Sequence, residues 1–552
     1  MPTSYYQAIP AILDSILAER PRSILDVGMG FGKYGYLCRD ILEIPFRRYK
    51  KEDWVTRIDG VEACHEYHNP VYDYAYDHVF WGDVTQIVDQ LDLYDVVLMI
   101  DVLEHFTKSD GYSIIRKLLN HTNKMLLIST PLYPDTQTDY NGNSYEMHKS
   151  RWHPLDFHSF DATYQLVPVG DGGAQLIALH TSEATQPITS YDDSFWDTEA
   201  SRPGPLRVSY ILPHQNLTGG LKMLLRQAAE LQKRGHSIRM IYKGTATSAT
   251  PQWAEDSFPD SVVVPPGRSL SSSLADSDVI VAGWIDQLLE IDSATLPILY
   301  WEQGSEWFFG DSVGQAPWAV RNHLRECYSR PAALAAVSPI VSEMLRSRYG
   351  RIAPVLPNGI DIDRFVPAEN NDHAPVVLLV GNPALRFKGF DVAMRALTKV
   401  WQLGWKFKVI WIAQQQPRVT VPFDVFCVVN PPQHELPEWY REATLLLSTS
   451  WYEGFAMPPL EAMASGLPVV ATNSGGISYY AVHGKNVLLA EPGDADGLAA
   501  HIITLFKSKS LRKYLGQNAR KTSEEFAWPK VAAVAEQLLG KVAAHFSAVA
   551  RL

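Results

Sequence analysis

The apolar positions of this chain fall into three series of short buried runs alternating with amphipathic stretches. In the first, residues 11–19 repeat at helical spacing, 23–27 (SILDV) form a compact apolar run, and 34–42 return to a helical pattern. RIDGVE, ending at Glu62, and YDVVLMID, ending near Asp101, read as further buried strands, with FWGDV supplying Asp83 between them. A β-hairpin is expected around 170–180. In the second series LRVSYILP reads as a strand, the Thr-Gly-Gly loop at 218–220 follows, and LKMLLRQAAELQK is amphipathic. Gly235 suits the C-cap of that helix, and HSIRMIYK and DVIVAGW read as strands. In the third, APVVLLV, FKVIWIA, FDVFCVVN and 445–447 are strand-like, and helices are expected from 498 to about 545. Strands alternating with helices predict an α/β fold built on parallel, doubly wound sheets.

With 552 residues and 46% hydrophobic content, the chain is long enough for several cores. The most linker-like stretch, SEATQPITSYDDSFWDTEASRPGP, is polar, acidic and proline-bearing. It sets the expected organisation: a first unit at 1–182, a linker at 183–204, and two further units at 205–370 and 371–552. The formal net charge of −12 argues against a nucleic-acid binder. No apolar run reaches 18 residues, so no transmembrane segment is expected. The N-terminus lacks the basic and apolar regions of a signal peptide. Cys38, Cys64, Cys327 and Cys427 are scattered without a CxxC pair, which fits reduced thiols in a cytoplasmic setting.

Between the first strand and its helix lie Gly28, Gly30, Gly32 and Gly35, with Asp26 before them. Such glycines allow a tight turn and close approach of a ligand, and an acid at the end of the next strand, Glu62, suits a ribose diol. Alone, the pattern also fits a dinucleotide. Together with the GDV and DVLEH segments, the series resembles the class I S-adenosylmethionine-dependent methyltransferases over nearly all of 1–182. The resemblance implies Asp26, Gly28, Gly30 and Gly32 as the cofactor loop, Glu62 as ribose ligand, Asp83 near the adenine and Asp101 among the cofactor-binding residues. NAD binding is the alternative. The insertion at 43–57 places Glu62 further along the chain than is usual.

Asp101, Glu104 and His105 are expected to share one helical face, at i, i+3 and i+4. His105 is the candidate base, since an imidazole can take a hydroxyl proton near neutral pH. Ubiquinone-type O-methyltransferases have a similar segment, in some cases linked to a divalent metal. The alternative is a helix cap at Asp101 with a packed His105, and no metal is expected. The polar and aromatic segment 131–157 resembles a pattern of some sugar-pathway methyltransferases. It makes His148, Trp152 and His153 candidates for the methyl-acceptor site, with a loop packed by its own aromatics as the alternative.

The stretch that organises the C-terminal part is SWYEGFAMPPLEAMASGLPVVAT, 450–472. Glu453 stands in a loop and Glu461 eight positions on, in a helix opened by Pro458 and Pro459. Gly454, Phe455 and Ala456 then offer backbone N–H groups at a helix N-terminus, where anions bind. The stretch resembles the Glu-x7-Glu signature of retaining GT-B glycosyltransferases of the GT4 group. That resemblance implies that Glu453 contacts the donor sugar, Glu461 the ribose hydroxyls and the loop amides the diphosphate. It extends to Gly219-Gly220, to the LPNGIDIDRF crossover, to Lys388-Gly389 and to VHGKNVLLAEPGD, and it implies a terminal helix crossing back to the N-terminal lobe. Asn382 stands where an arginine is usual, and Arg386 is its candidate replacement. Arg386 and Lys388 are expected to stabilise charge growing on the diphosphate, with surface cations as the alternative. Asp276-x-Asp278 and Asp361-x-Asp363 read as a strand-entry turn and part of the crossover, not as metal sites. Glu302, Gln303 and Glu306, among Trp301, Trp307, Phe308 and Phe309, are expected to meet the acceptor.

The expectation is therefore three Rossmann-like units: a methyltransferase-like domain, then a GT-B acceptor-side lobe and a nucleotide-sugar donor-side lobe. The implied protein is a bifunctional enzyme of bacterial surface-polysaccharide or glycoconjugate assembly. It would use S-adenosylmethionine and a nucleotide sugar on a glycan or lipid-linked glycan, with no metal for sugar transfer. A cytoplasmic location, with peripheral association at the inner membrane face, is compatible with that reading. Two rivals are a glycosyltransferase with a scaffolding methyltransferase-like unit and a non-catalytic carbohydrate-binding protein.

Overall fold

The computed structural model describes residues 5–133, 137–138, 143–169, 172–181, 191–274, 276–291, 296–312, 315, 317–368 and 374–549. It divides into two compact units, 1–186 with 306–323, and 187–305 with 324–552. Among the described residues no helix is long and apolar enough to cross a membrane.

The first unit holds β1 (Ser23–Val27), β2 (Arg57–Glu62), β3 (His78–Trp81), β4 (Tyr94–Ile100), β5 (Thr122–Pro131), β6 (Ala162–Val169) and β7 (Gly172–His180). They form one sheet in the order β3-β2-β1-β4-β5-β7-β6. β1 to β5 run parallel, and β7 is antiparallel to both β5 and β6. The central strands are buried on both faces, so they read as continuous apolar runs: Ile24, Leu25, Val96, Val97 and Leu98 are inaccessible. The insertion after the first helix folds back on its own start. Glu43 is fully buried, accepts the Thr56 amide at 2.9 Å and pairs with Arg48. Asp26 therefore lies opposite Gly60, and Val27 opposite Val61, in a regular register. Extra residues in sequence leave Glu62 at the end of the strand beside the glycine loop.

The second unit holds two parallel six-stranded sheets. The first contains β8 (Arg207–Leu212), β9 (Ser237–Lys243), β10 (Asp260–Val264), β11 (Val279–Ala282), β12 (Ile298–Glu302) and β13 (Ala333–Ala336), in the order β10-β9-β8-β11-β12-β13. The second contains β14 (Val376–Val380), β15 (Lys408–Ala413), β16 (Val425–Val429), β17 (Leu445–Ser448), β18 (Val469–Thr472) and β19 (Leu488–Ala490), in the order β16-β15-β14-β17-β18-β19. In both the order reverses after the first strand, between β8 and β11 and between β14 and β17. Ligands of open α/β sheets bind in the crevice at such reversals, beyond the strand carboxyl ends. The last helix, Trp528–Val549, packs on the helix Gly219–Lys233 and on β11 and β12. Arg234 and His236 both reach Glu536 on it. At its start the Ile360 amide donates to the Phe526 carbonyl at 2.8 Å. A Cβ on Gly359 would lie 2.4 Å from the Trp528 ring, so only glycine lets the crossover pass.

Three sequence expectations are corrected. Of the stretch read as a linker, 182–190 lies outside the described residues and 197–204 is exposed, but 191–196 is packed structure. Asp193 and Arg351, both buried, pair at 2.8 Å, and Phe195 stacks on His545 with centroids 4.4 Å apart. The Phe-Trp pair inside an otherwise polar run supplies the anchor that composition hides. Residues 306–323, expected in the N-terminal lobe, go with the first unit: the Tyr164 amide donates to Gly310 at 2.9 Å and Arg321 Nε to Asp161 at 2.8 Å. Glu302 is no open acceptor contact either. It is buried and accepts hydrogen bonds from Tyr300, Tyr328 and the Gly304 amide. Asp278 takes the strand-entry place expected of it, accepting the Arg207 amide and pairing with Arg202 at 2.8 Å.

Candidate active sites

In the second unit, the loops after the adjacent strands β14 and β17 are tied together. Gly389 has φ +63°, and a Cβ there would lie 2.2 Å from the Thr449 carbonyl. The Thr449 hydroxyl donates to the carbonyls of Lys388 and Gly389, and the Trp451 amide donates to Phe387 at 2.7 Å. This brings Lys388 Nζ to 2.7 Å from Glu453 Oε1, which also accepts from the Ser450 hydroxyl at 2.7 Å. The Glu453 backbone is held as well: its amide donates to Ser474 and its carbonyl accepts from Gly476. Arg386 is exposed at the start of the same turn.

Ala456 turns the chain into the helix Met457–Ala464 with φ +71°, a left-handed conformation unusual outside glycine. Strained backbone of this kind clusters at ligand sites. Phe455 is buried against Tyr480 and Phe526, so it offers a ligand only its backbone. Glu461 is buried on that helix. Tyr440 donates to its Oε2 at 2.6 Å, and Lys222 Nζ lies 3.5 Å from its Oε1. Glu461 and Lys222 line a cleft with Arg226, Asp361 and Arg364. Gly219 and Gly220, expected in a loop, are instead the first residues of the helix Gly219–Lys233, capped by Thr218. The Gln303 side chain donates to the Gly220 carbonyl at 3.3 Å, and a Cβ on Gly454 would lie 2.0 Å from the Gln303 carbonyl. Ser450, Tyr440 and Lys222 were not singled out by sequence. Only Ser450, three positions before Glu453, left a local signal.

In the first unit, a cavity of about 1120 Å³ opens at the strand carboxyl ends. Gly28, Gly30, Glu62, Asp83, Asp101, His105 and His148 are on its wall. Gly28, Gly30 and Gly32 have φ of +70°, +53° and +79°, which glycine adopts without strain. A Cβ on Gly28 would lie 2.4 Å from Val102 Cγ2. The Gly30 amide donates to Glu62 Oε2 at 2.9 Å and the Cys64 amide to Oε1 at 2.8 Å. Burial raises the Glu62 carboxyl above its ordinary range, against those amides. Asp83 caps the short helix Val84–Ile87, accepting from the Thr85 amide and hydroxyl.

Here too the structure differs from expectation. Asp26 is buried and off the cavity wall, where it accepts the Tyr76 hydroxyl at 2.6 Å. Burial pushes its carboxyl up to about 7. It positions the loop from behind. Asp101, Glu104 and His105 do not share a helix face: Asp101 has φ +53°, and Leu103–His105 is a single 3-10 turn. The helix begins only at Lys108, capped by Thr107. Asp101 accepts the Ser129 hydroxyl at 2.7 Å, and burial raises its carboxyl. His148 comes to the wall beside His105, but Trp152 and His153 lie off it. Trp152 is buried against Tyr112 and Phe157, with its Nε1 donating to Ser150. The His153 amide donates to Asp156 at 2.9 Å. Part of this segment, 134–136 and 139–142, lies outside the described residues, as do residues 170–171.

Comparison with known proteins adds to this geometry. The chain is 31% identical over 153 residues to an uncharacterised glycosyltransferase of Methanocaldococcus jannaschii, covering 26% of this chain and 42% of that one. It is 34% identical over 125 residues to O-antigen chain mannosyltransferase B of Escherichia coli, covering 23% and 32%. It is 29% identical over 218 residues to mannosylfructose-phosphate synthase of Agrobacterium fabrum, covering 37% and 44%. The chain thus spans less than half the length of each of these relatives. Residues 421–522 match the family described as glycosyl transferases group 1. That segment contains Glu453 and Glu461, so the match falls on the second sheet of the second unit and on the helix that bears Glu461.

Proposed function

We propose that the second unit transfers a sugar from a nucleotide-sugar donor to a glycan or lipid-linked glycan, with retention of anomeric configuration. The observation that carries this is the Lys388–Glu453–Ser450 cluster at the mouth of the helix bearing Glu461. As the glycosidic bond breaks, the sugar gains positive and the diphosphate negative charge. A carboxylate and an ammonium held together in advance meet both charges without reorganisation. Glu461, fixed by Tyr440, is placed to take ribose hydroxyls, and the amides of 454–456 to take the diphosphate. The O-antigen relative supports a role in bacterial surface-polysaccharide assembly.

The first unit, in this reading, is a methyltransferase. Support comes from the left-handed glycine loop, from Glu62 tied to it, and from the large cavity beyond. Bound S-adenosylmethionine would supply an electrophilic methyl group. Glu62 would hold its ribose diol, and an acceptor hydroxyl would enter beside His105 and His148. A panel of nucleotide sugars with mass-spectrometric product detection tests the transfer. Calorimetry with S-adenosylmethionine and with nucleotides tests each unit separately. Absence of S-adenosylmethionine binding would leave a glycosyltransferase with a scaffolding first unit.

A further inference from the structure

We propose that Lys222 is a self-inhibitory latch on the donor site: without ligand it occupies Glu461 and holds the cleft shut, and a nucleotide's ribose must displace it to enter. This regulation rests on the reading of Glu461 as the ribose ligand. Lys222 lies near the start of the helix Gly219–Lys233, which follows β8 of the first sheet. Glu461 lies in the helix Met457–Ala464, which follows β17 of the second. Their ion pair, with Nζ 3.5 Å from Oε1, therefore joins the two lobes. The side chains are 22% and 9% exposed, so solvent and salt screen the pair less than one on the open surface.

The two partners of Glu461 differ in origin. Tyr440, which donates to Oε2 at 2.6 Å, is buried in the same lobe as Glu461 and stays with it when the lobes part. Lys222 faces Oε1 from the opposite lobe and leaves. The cleft between the lobes holds about 40 Å³, room for ~3 waters. Sites for small ligands are roughly 300–1,000 Å³. A ribose does not reach Glu461 while Lys222 is in place. The neighbouring cations are engaged elsewhere: Arg226 pairs with Asp256 at 2.9 Å and Arg364 with Glu255 at 2.7 Å. Those acids lie on the first-sheet side, so their pairs survive opening. Glu255 also feels the charge of Lys222, which gives a displaced ammonium an anion to turn to. A nucleotide then binds only those molecules in which the latch is open, and its apparent affinity falls by that fraction.

The test is calorimetric titration of the full-length protein with uridine diphosphate and with guanosine diphosphate. Lys222→Met keeps the stem and removes the charge. It should bind nucleotide at least ~3-fold more tightly than the wild type, as loss of a latch closed in about two-thirds of molecules gives. Lys222→Arg, which keeps the charge, should stay close to the wild type. Glu461→Ala should bind more weakly, and adding Lys222→Met to it should change nothing, because the latch then has no catch. Circular dichroism would verify the fold of each variant. Unchanged or weaker binding in Lys222→Met, with Glu461→Ala weakened, would overturn the latch and leave Glu461 as ribose ligand. Undiminished binding in Glu461→Ala would overturn the ribose assignment itself, and the latch with it.

Discussion

Lys388 Nζ and Glu453 Oε1 stand 2.7 Å apart although 65 positions separate the residues in sequence. The contact exists because β14 and β17 are neighbours in the sheet and their following loops meet where Gly389 passes under Thr449. Neither residue is an isolated surface charge, since each side chain is less than one-fifth exposed.

Lys388→Ala should therefore do two things at once. In the proposed mechanism it removes a cation from the developing diphosphate charge, and it leaves Glu453 Oε1 accepting from the Ser450 hydroxyl. Loss of one preorganised stabiliser typically lowers turnover by about 10²–10³. Steady-state kinetics with the active nucleotide sugar would show it. A loss below threefold would mean the pair is structural.

Glu461 should behave differently. Its carboxylate is fixed by Tyr440 and Lys222 before any ligand arrives. If it binds ribose, it binds ground state and transition state alike. Glu461→Ala should then raise the donor KM with kcat little changed, whereas Glu453→Gln should lower kcat with KM little changed. The same split in both variants would show that their roles are misassigned, as would an inverted product anomer by NMR.

Much of this was legible beforehand because strand and loop chemistry is local. The run 23–27, the glycine loop, the Gly389 turn and the helix after Pro458 all announce themselves through neighbouring residues. What was not legible depended on partners far along the chain. Glu461 needs Tyr440 and Lys222, and Asp193 in the supposed linker needs Arg351. The expected i, i+3, i+4 helix at 101–105 failed because Asp101 adopts a left-handed turn that its sequence does not demand. The motif implies Asp26 as a ligand but is silent on Tyr76, whose hydroxyl Asp26 accepts off the cavity wall.

Gly454 sets up a test of lobe contact. A Cβ there would meet the Gln303 carbonyl at 2.0 Å, far inside van der Waals range. Gly454→Ala should keep both sheets folded but hold the loop away from Gln303. Turnover should fall while the melting temperature changes little. Full activity would mean that this contact is not part of the working state.

The last expectation concerns pH and the first unit. Asp26 is buried beside Tyr76, and burial holds its carboxyl near 7, against an ordinary value of 3.8. The folded state therefore binds this proton more tightly than the unfolded chain does. The associated stability is fully present below the unfolded value and is lost as pH rises through about 7. At higher pH a buried carboxylate must be carried behind the glycine loop. Asp26→Asn keeps an acceptor for the Tyr76 hydroxyl and removes the ionisation. It should match the wild type below the unfolded value of 3.8 and melt at a higher temperature near pH ~8, with a flatter profile between. Scanning calorimetry across that range would measure both slopes. Parallel profiles would show that Asp26 stays ionised in the fold, and that its contact with Tyr76 is between a carboxylate and a phenol throughout.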